Sequence, residues 1–543
     1  MSKRLQQLLK TIYQFTPYLI VLAPILAHWG FWNVYKTYWG NTDPSTWYFL
    51  DSLSVFAGKS YTFIDHPGTP VQIIGSLFLA LTIPFIGSGQ DLIDYYIARP
   101  EAFFFMMNLF LVVINSLTVI LIYRLAAKVT KANSVFAGIA VSLVYFAIHP
   151  LSTRMLTYWQ HNALYFPLGT LWWVLIYRKI MDGKFSNRDG FLFGVAAGIL
   201  ANIQIFFIPF IASSVLVSFL HERHKFQSFK KGLTGAGYAI LGNLAGITAM
   251  ILPIYRELPR FWNWISGIVF SESLYGDGRE SFFTFDALLF ALRRWQEDNA
   301  DILLFGALLL AGLLIGLYLY KKENSRLPAN LSILLVVLLV QVLFLVVLIT
   351  RGYARPRYSL ALAALLPVLF LAVLQLFDLS KRNPAIIRLA IFSVIIVGAF
   401  QTTHAGILHQ HEKHLLEVEL AADRSVVINL YARQHNLEED DVVIVYAYGT
   451  PLKCASLVLA NDWLALFDRE ISALCPNQYA IYTDGASVNL NSNRKLTDIK
   501  NINWDVVVSS GEPTFLTLLD NEKIKYVPGA WGITRRNWFL VEK

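Results

Sequence analysis

The sequence predicts a polytopic α-helical membrane protein that carries a small α/β domain at its C-terminal end. Of its 543 residues, 55% are hydrophobic and only 15% are charged, whereas soluble domains average about 25% charged residues. Apolar runs of about 18 residues or more, enough to cross a bilayer, recur over the first three quarters of the chain. Beyond about residue 415, short β-type runs alternate with helical patterns, which indicates an α/β domain.

The basic residues predict the orientation in the membrane. The net charge is +8, but most lysines and arginines fall in short loops between apolar segments, which is typical of cytoplasmic anchoring and not of a nucleic-acid interface. The basic segment 1–10 precedes an apolar run without a small-residue cleavage site, so we expect a retained first helix with a cytoplasmic N-terminus.

The spacing of basic loops predicts about eleven transmembrane helices. They are residues 11–35, 102–123, 134–148, 163–177, two short helices within 190–220, 233–254, 302–320, 331–350, 359–377 and 386–401. The apolar stretch 70–86 contains Pro84 and is predicted to be re-entrant or interfacial. Block 190–220 is predicted to turn within the membrane near Asn202 and Gln204, with a single long tilted span as the alternative.

This topology predicts a transmembrane domain over residues 1–410 and a soluble extracytoplasmic domain over 411–543. Loops 36–101 and 255–300 then also lie outside. Predicted strands cover 442–446, 479–482, 504–508 and 538–541, and predicted helices cover 415–435 and 514–520. Cys454 and Cys475 lie in the outer domain, where an oxidising compartment favours a disulfide over two unpaired thiols. Four histidines at positions 404, 409, 411 and 414 indicate either a metal site or, as we expect, a solvated linker.

Residues 41–72 contain acids beside a predicted span, which marks a functional site. Asp43 lies in a Thr-Asp-Pro turn, and Asp65 and His66 begin a second turn with Pro67 and Gly68. Between the turns, apolar residues at helical spacing predict a short amphipathic helix. Asp51 falls within that helix and is expected to face water.

The acidic turn, the short aromatic helix and the run Gly58-x-x-Tyr61-x-x-x-Asp65-His66-Pro67 resemble the first extracytoplasmic loop of GT-C glycosyltransferases. The pattern looks like that of the protein O-mannosyltransferase and lipid A aminoarabinose transferase branch. Arg357-Tyr358, before an apolar helix that contains proline, is the second resembling motif. This chain has Asp43-Pro44 for the usual Asp-Glu pair and His66-Pro67-Gly68 for the usual His-Pro-Pro.

The resemblance implies a GT-C-like fold that transfers a sugar from a polyprenyl-phosphate donor to a lipid, protein or glycan acceptor on the outer face. It implies Asp43 as the catalytic base, with an N-cap role as the alternative. It implies Asp65 as a second catalytic acid. His66 matches a position whose cation approaches the phosphate or a divalent metal ion, which histidine can do when protonated or as a metal ligand. A turn stabilised by Asp65 is the alternative.

Three arginines, Arg351, Arg355 and Arg357, lie within seven residues at a predicted outer helix end. Guanidinium groups suit a carrier phosphate, and positive charge on the outer face runs against the usual orientation bias. We therefore expect these residues to bind the donor, with contact to lipid headgroups as the alternative. Tyr358 follows them as an expected substrate contact. The resemblance also implies a role for His161 or Asn162, because the family often has an acid at this position, at the mouth of another span; either residue contacts sugar or caps the helix. The expected function is therefore an integral-membrane glycosyltransferase of a bacterial inner or plasma membrane. A flippase of lipid-linked sugars and a membrane-anchored scaffold are the alternatives.

Overall fold

The computed structural model describes residues 3–39, 42–59, 61–62, 64, 69–130, 134–270, 285–323, 327–351, 356–379, 385–447, 450–464, 466–483, 488–490, 494–495, 506–508, 526–528 and 538–541. Within these ranges the chain is mostly helical.

The helices follow in chain order: α1 (Lys3–Tyr35), α2 (Thr42–Phe56), α3 (Thr69–Leu81), α4 (Ile83–Ile86), α5 (Gln90–Ala98), α6 (Pro100–Val129), α7 (Ser134–Ile148), α8 (Pro150–Arg154), α9 (Leu171–Met181), α10 (Asn187–Ala201), α11 (Ile208–Phe226), α12 (Phe229–Ile251), α13 (Leu258–Phe270), α14 (Phe285–Asp298), α15 (Ala300–Glu323), α16 (Ala329–Arg351), α17 (Pro356–Ala363), α18 (Leu366–Leu379), α19 (Ala385–His435), α20 (Lys453–Leu464) and α21 (Asp468–Leu474). The strands are β1 (Ile444–Ala447), β2 (Gln478–Thr483), β3 (Val488–Leu490), β4 (Arg494–Lys495), β5 (Val506–Val508), β6 (Tyr526–Pro528) and β7 (Trp538–Val541).

Eight helical segments of the described chain are long and apolar enough to cross a membrane. They are Gln14–Tyr35, Pro100–Val129, Ile205–Phe226, Phe229–Asn263, Ala300–Lys322, Ala329–Thr350, Arg357–Leu379 and Leu389–His435. Of the other three predicted spans, 134–148 corresponds to α7, one half of block 190–220 to α10, and 163–177 to two irregular turns followed by α9. Helices α7, α9 and α10 have 15, 11 and 15 residues. At about 1.5 Å per residue, these helices fall short of the roughly 30 Å of a hydrocarbon core. The count of about eleven therefore stays a prediction.

Block 190–220 is interrupted where the sequence predicts a turn. Helix α10 ends at Ala201, Gln204 is extended, a 3-10 turn follows over Ile205–Phe207, and α11 then begins. A single long span, the alternative for this block, is excluded because the helix breaks. The two helices pack against each other and both pack against α12.

Glycines permit the close contact between α10 and α12. A Cβ atom on Gly242 would collide with the carbonyl oxygen of Phe191, and one on Gly198 with that of Asn243. These carbonyls belong to backbone that cannot rotate away, so close helix packing requires small residues at these positions. Gly237, on the same helix α12, has open space around its Cα.

The chain divides into two compact units. The first comprises Met1–Asn33, Ile64–Pro70 and Asn108–Leu408, and the second comprises Val34–Phe63, Val71–Met107 and His409–Lys543. Much of the predicted loop 36–101 thus belongs to the same unit as the C-terminal segment.

The second unit contains a seven-stranded sheet of order β4-β3-β2-β1-β5-β7-β6. Strand β1 pairs in parallel with β2 and β5, and the outer strands pair antiparallel. Each of the four predicted strands overlaps an observed one. Helices α20 and α21 lie between β1 and β2 in the chain, and α20 packs against β2 and against α2. A disulfide joins Cys454 in α20 to Cys475 at the end of α21. The predicted helix 514–520 lies outside the described residues.

Two sequence-based expectations about the helices are wrong. Helix α19 runs without a break from Ala385 to His435, so residues 402–414 form a helix and not a linker. Helix α2 is not amphipathic, because its residues from Pro44 to Ser54 are all buried. The helix α20, which lies about 400 positions later in the sequence, contributes to this burial.

Candidate functional site

The structure describes four of the predicted substrate residues with their side chains. These are Arg357, Tyr358, His161 and Asn162. Asp43 lies in the first turn of α2 and Arg351 ends α16, but the side chains of both are outside the described residues, as are Asp65, His66 and Arg355 entirely. The roles of these five residues remain predictions.

Arg357 and Tyr358 lie in the first turn of α17, in the first unit. The Nη2 atom of Arg357 donates a hydrogen bond of 3.1 Å to the Tyr358 hydroxyl, and its guanidinium carbon lies 5.0 Å from the centroid of that ring. The helix dipole disfavours a cation in a first turn, so this arginine does not stabilise the helix end. The contacts with tyrosine hold the guanidinium group in place.

His161 and Asn162 begin the first of two consecutive irregular turns. A 3-10 turn covers His161–Leu164, a π-helical turn covers Tyr165–Thr170, and both contact α17. The hydroxyl of Thr170 donates a 2.6 Å hydrogen bond to the carbonyl oxygen of Ala364, just after α17. Irregular helical turns of this kind occur frequently at functional sites. The structure therefore brings the histidine-asparagine segment and the arginine-tyrosine segment into one cluster, which we call the polar cluster.

Gln204, in the break between α10 and α11, also belongs to the polar cluster, because the 3-10 turn that follows it contacts α17. The ring of Phe206 lies 4.8 Å from that of Tyr358, centroid to centroid. Gln204 is 1% exposed, and among the described residues its Oε1 atom has no hydrogen-bond partner. The Oδ1 atom of Asn162 is likewise buried without a partner in the described chain. Buried amide oxygens are costly when unpaired, so these two are candidates to accept hydrogen bonds from a bound hydroxyl or amine.

A further buried polar residue, His28 of α1, was missed by the sequence analysis. Its Nε2 atom lies 3.3 Å from the hydroxyl of Thr157, and its side chain is 1% exposed. Thr157 lies four residues before His161 in the chain. A histidine inside an apolar span is the signal that could have identified it, because ionisable residues at such positions are rare without a role.

Asp51, in the second unit, does not face water. It is completely buried, and its Oδ1 atom accepts hydrogen bonds from the amide of Thr62 at 3.1 Å and the Thr62 hydroxyl at 2.8 Å. Its Oδ2 atom accepts a third from the Gln72 side chain at 2.7 Å. Burial, with a smaller contribution from the Asp51 charge, raises the pKa of Tyr61 to about 12. Asp51 thus links α2 by hydrogen bonds to Thr62 and to Gln72, which precede and follow residues 65–68 in the chain. The prediction that Asp51 faces water is wrong, because α2 is buried from Pro44 to Ser54.

The side chains of the polar cluster suit a neutral or anionic polar ligand. A guanidinium group and a tyrosine hydroxyl can bind phosphate oxygens, and the amides of Asn162 and Gln204 can bind hydroxyls. In the described part of the chain, no group of three or more His, Cys, Asp or Glu side chains is arranged to hold a metal ion.

No protein-family model matches this chain. A comparison with curated proteins gives no match either. A functional assignment therefore depends on the chemistry of the described side chains.

Proposed function

We propose that this chain is a membrane glycosyltransferase of the GT-C type, with about eleven transmembrane helices and an extracytoplasmic α/β domain. It transfers a sugar from a polyprenyl-phosphate donor to an acceptor glycan, lipid or protein at the outer face of the membrane. The observation that carries this proposal is the polar cluster. It contains a guanidinium group positioned by tyrosine and two buried amide oxygens without partners among the described residues, within a unit built of apolar helices.

In the proposed reaction the acceptor oxygen or nitrogen attacks the anomeric carbon of the donor sugar. The bond between that carbon and the phosphate oxygen breaks, and polyprenyl phosphate leaves with the bonding electrons. Asp43 takes the proton of the acceptor, as a general base, and Asp65 assists it. Arg351, Arg355 and Arg357, with His66, stabilise the negative charge of the departing phosphate.

Substrate contacts complete the proposal. Tyr358 keeps Arg357 oriented, and His161 and Asn162 bind the sugar. One observation supports these assignments: helix α17, which carries Arg357, contacts the 3-10 turn that carries Asn162. A divalent metal ion is an open alternative for phosphate binding and has no described ligand set.

The test is sugar release from lipid carriers by the purified full-length protein. A panel of polyprenyl-phosphate sugars is incubated with the protein and candidate acceptors, and free polyprenyl phosphate is measured. Arg357→Lys keeps the charge and loses the planar fork, so we expect transfer to fall about tenfold or more. Arg433→Lys, at an exposed arginine of α19, is the matched control and should transfer at the wild-type rate. Equal rates for the two variants would remove Arg357 from the donor site.

A flippase of lipid-linked sugars is a second candidate, favoured by the interruption between α10 and α11. Broken helices are typical of transporter binding sites. A flippase moves the intact donor between leaflets and releases no polyprenyl phosphate. The same assay in proteoliposomes, with accessibility of the donor to an external enzyme as a second readout, separates the two functions.

A further inference from the structure

A cleft of about 450 Å³ lies within the second unit, at the carboxyl end of β1. Its lining includes three cations, one carboxylate and two aromatic residues: Lys36, Arg424, Lys453, Glu417, Trp39 and Tyr446. These residues come from the segment after α1, from the C-terminal half of α19, from β1 and from the start of α20. None of them belongs to the polar cluster or to the proposed catalytic set.

Arg424 is held in a fixed orientation by a chain of hydrogen bonds. Its Nε atom donates to the Tyr446 hydroxyl at 2.7 Å, and that hydroxyl donates to Oε1 of Gln478 at 2.6 Å. Only one of the five N–H donors of the guanidinium group is used, and the other four have no partner among the described residues. A guanidinium group fixed through Nε presents its terminal nitrogens as a preformed fork for a carboxylate or phosphate.

The other charges favour an anion. Lys36 is exposed and has no ion-pair partner in the described chain. Lys453 is partly compensated, since its Nζ atom lies 2.7 Å from the carbonyl oxygen of Ala98 and 3.5 Å from Glu101. Glu417 is 9% exposed and accepts a 3.2 Å hydrogen bond from the amide of Trp39. Three lining cations therefore face one lining carboxylate that is already hydrogen-bonded.

The topology of the sheet is consistent with a ligand at this position. Strand β1 has a parallel neighbour on each side. Strand β2, on one side, is the next strand in the chain, and β5, on the other side, comes later in the chain. The order of strands along the chain thus reverses direction at β1. In open α/β sheets, ligands bind outside the carboxyl ends of the strands at such a reversal. Tyr446 lies near that end of β1, and Pro451 and Leu452, which follow it, line the cleft.

We infer that this cleft is a second ligand site, which binds a small polar molecule that carries a phosphate or carboxylate group. Arg424 binds the anionic group through its terminal nitrogens, Lys36 adds charge at the entrance, and Glu417 accepts a hydrogen bond from a hydroxyl of the ligand. An anionic sugar has this combination of groups. The inference does not depend on sugar transfer, because the site is separate from the residues proposed to catalyse it.

Direct binding to the full-length protein in phosphatidylcholine nanodiscs tests the inference. The probes are glucose 6-phosphate, glucuronate, inorganic phosphate and neutral glucose, and the readout is isothermal titration calorimetry. We expect at least one of the two anionic sugars to bind in a saturable manner, about tenfold or more tightly than glucose. Arg424→Gln should weaken that binding about tenfold or more and Lys36→Gln by a smaller factor, whereas Arg433→Gln, on the same helix, should leave it unchanged.

Three results would overturn the inference: no saturable binding of any anionic probe, glucose binding as tightly as the anionic sugars, or equal affinities for wild-type protein and both cleft variants. Lys36→Gln guards against misfolding, because that exposed side chain has no partner within the described structure.

The membrane is a second source of phosphate. The titration is therefore repeated in nanodiscs that contain phosphatidylglycerol. A loss of affinity there identifies a lipid headgroup as the competing occupant of the anion site, and an unchanged affinity identifies a soluble ligand.

Discussion

Replacement of Asp51 tests whether the buried carboxylate stabilises the second unit. In Asp51→Ala, the amide and hydroxyl of Thr62 and the side-chain amide of Gln72 lose their acceptor in a buried site. An unsatisfied buried donor costs about 1–3 kcal/mol. Gln72 is buried and Thr62 is half-buried, so the three donors together, with some local relaxation, predict a loss of about 3–5 kcal/mol in the free energy of unfolding.

Asp51→Asn should cost less. Asparagine keeps one acceptor oxygen for Thr62, but its NH₂ group then faces the NH₂ group of Gln72. Rotation of the glutamine amide relieves this contact, so we expect a loss of about 1–2 kcal/mol. The order wild type, Asn, Ala is therefore part of the prediction.

The assay is thermal unfolding of the purified full-length protein in detergent, followed by tryptophan fluorescence. A domain of 150–250 residues shifts its midpoint by about 2–4 °C per kcal/mol, so Asp51→Ala should lower the transition of the second unit by roughly 6–20 °C. Asp440→Asn, at an exposed acid of the same unit, serves as the control and should change stability by less than about 0.5 kcal/mol. Equal midpoints for Asp51→Ala and Asp440→Asn would refute the reasoning.

Packing, cross-linking and titration each give one further prediction. Gly242→Ala should destabilise the first unit by about 2 kcal/mol, because the new methyl group would collide with the backbone of α10. Gly237→Ala, on the same helix but with open space around it, should be neutral or slightly stabilising in the same thermal assay. Replacement of Cys454 and Cys475 by serine removes a disulfide between residues 21 positions apart and should lower the free energy of unfolding by about 3 kcal/mol. A thermal midpoint that changes neither with this replacement nor with reductant would contradict the prediction. Burial raises the pKa of Tyr61 in the folded protein to about 12, compared with about 10 in the unfolded chain. The neutral side chain therefore stabilises the folded state fully below about pH 10, and this stabilisation is lost as the pH rises towards 12. Tyr61→Phe should make the fall in midpoint over that range less steep, and an unchanged slope would contradict a raised pKa for Tyr61 in the folded protein.

Local sequence patterns predicted helices and strands, but not which parts of the chain pack over them. The interruption near Gln204 could be predicted because 31 apolar residues between basic flanks cannot form two full spans, and four strands could be predicted from their β-branched and aromatic runs. The burial of Asp51 could not, since the covering helix α20 lies about 400 residues away in the chain. The continuity of α19 was missed because the polar residues around His409 were interpreted as solvated linker, although polar residues are compatible with a long helix.

The candidate site shows the same limit. Arg357, Tyr358 and Asn162 could be predicted as site residues, because polar and charged side chains are rare in apolar segments unless they have a function. It could not be predicted that these residues belong to one cluster. That arrangement depends on the two irregular turns His161–Leu164 and Tyr165–Thr170, which leave no simple periodicity in the sequence. The contribution of Gln204 emerges only from the packing of the broken helix against α17.

The most direct measurement of the central claim is polyprenyl phosphate release by wild-type protein and by Asp43→Asn, with Asp440→Asn as control. Loss of a general base lowers a rate by about 10²–10⁴-fold. We predict release by wild type and by Asp440→Asn from at least one lipid-linked sugar, with a loss of about 100-fold or more in Asp43→Asn at unchanged donor binding. Release that is equal in all three proteins, or absent from every donor in the panel, would contradict the account.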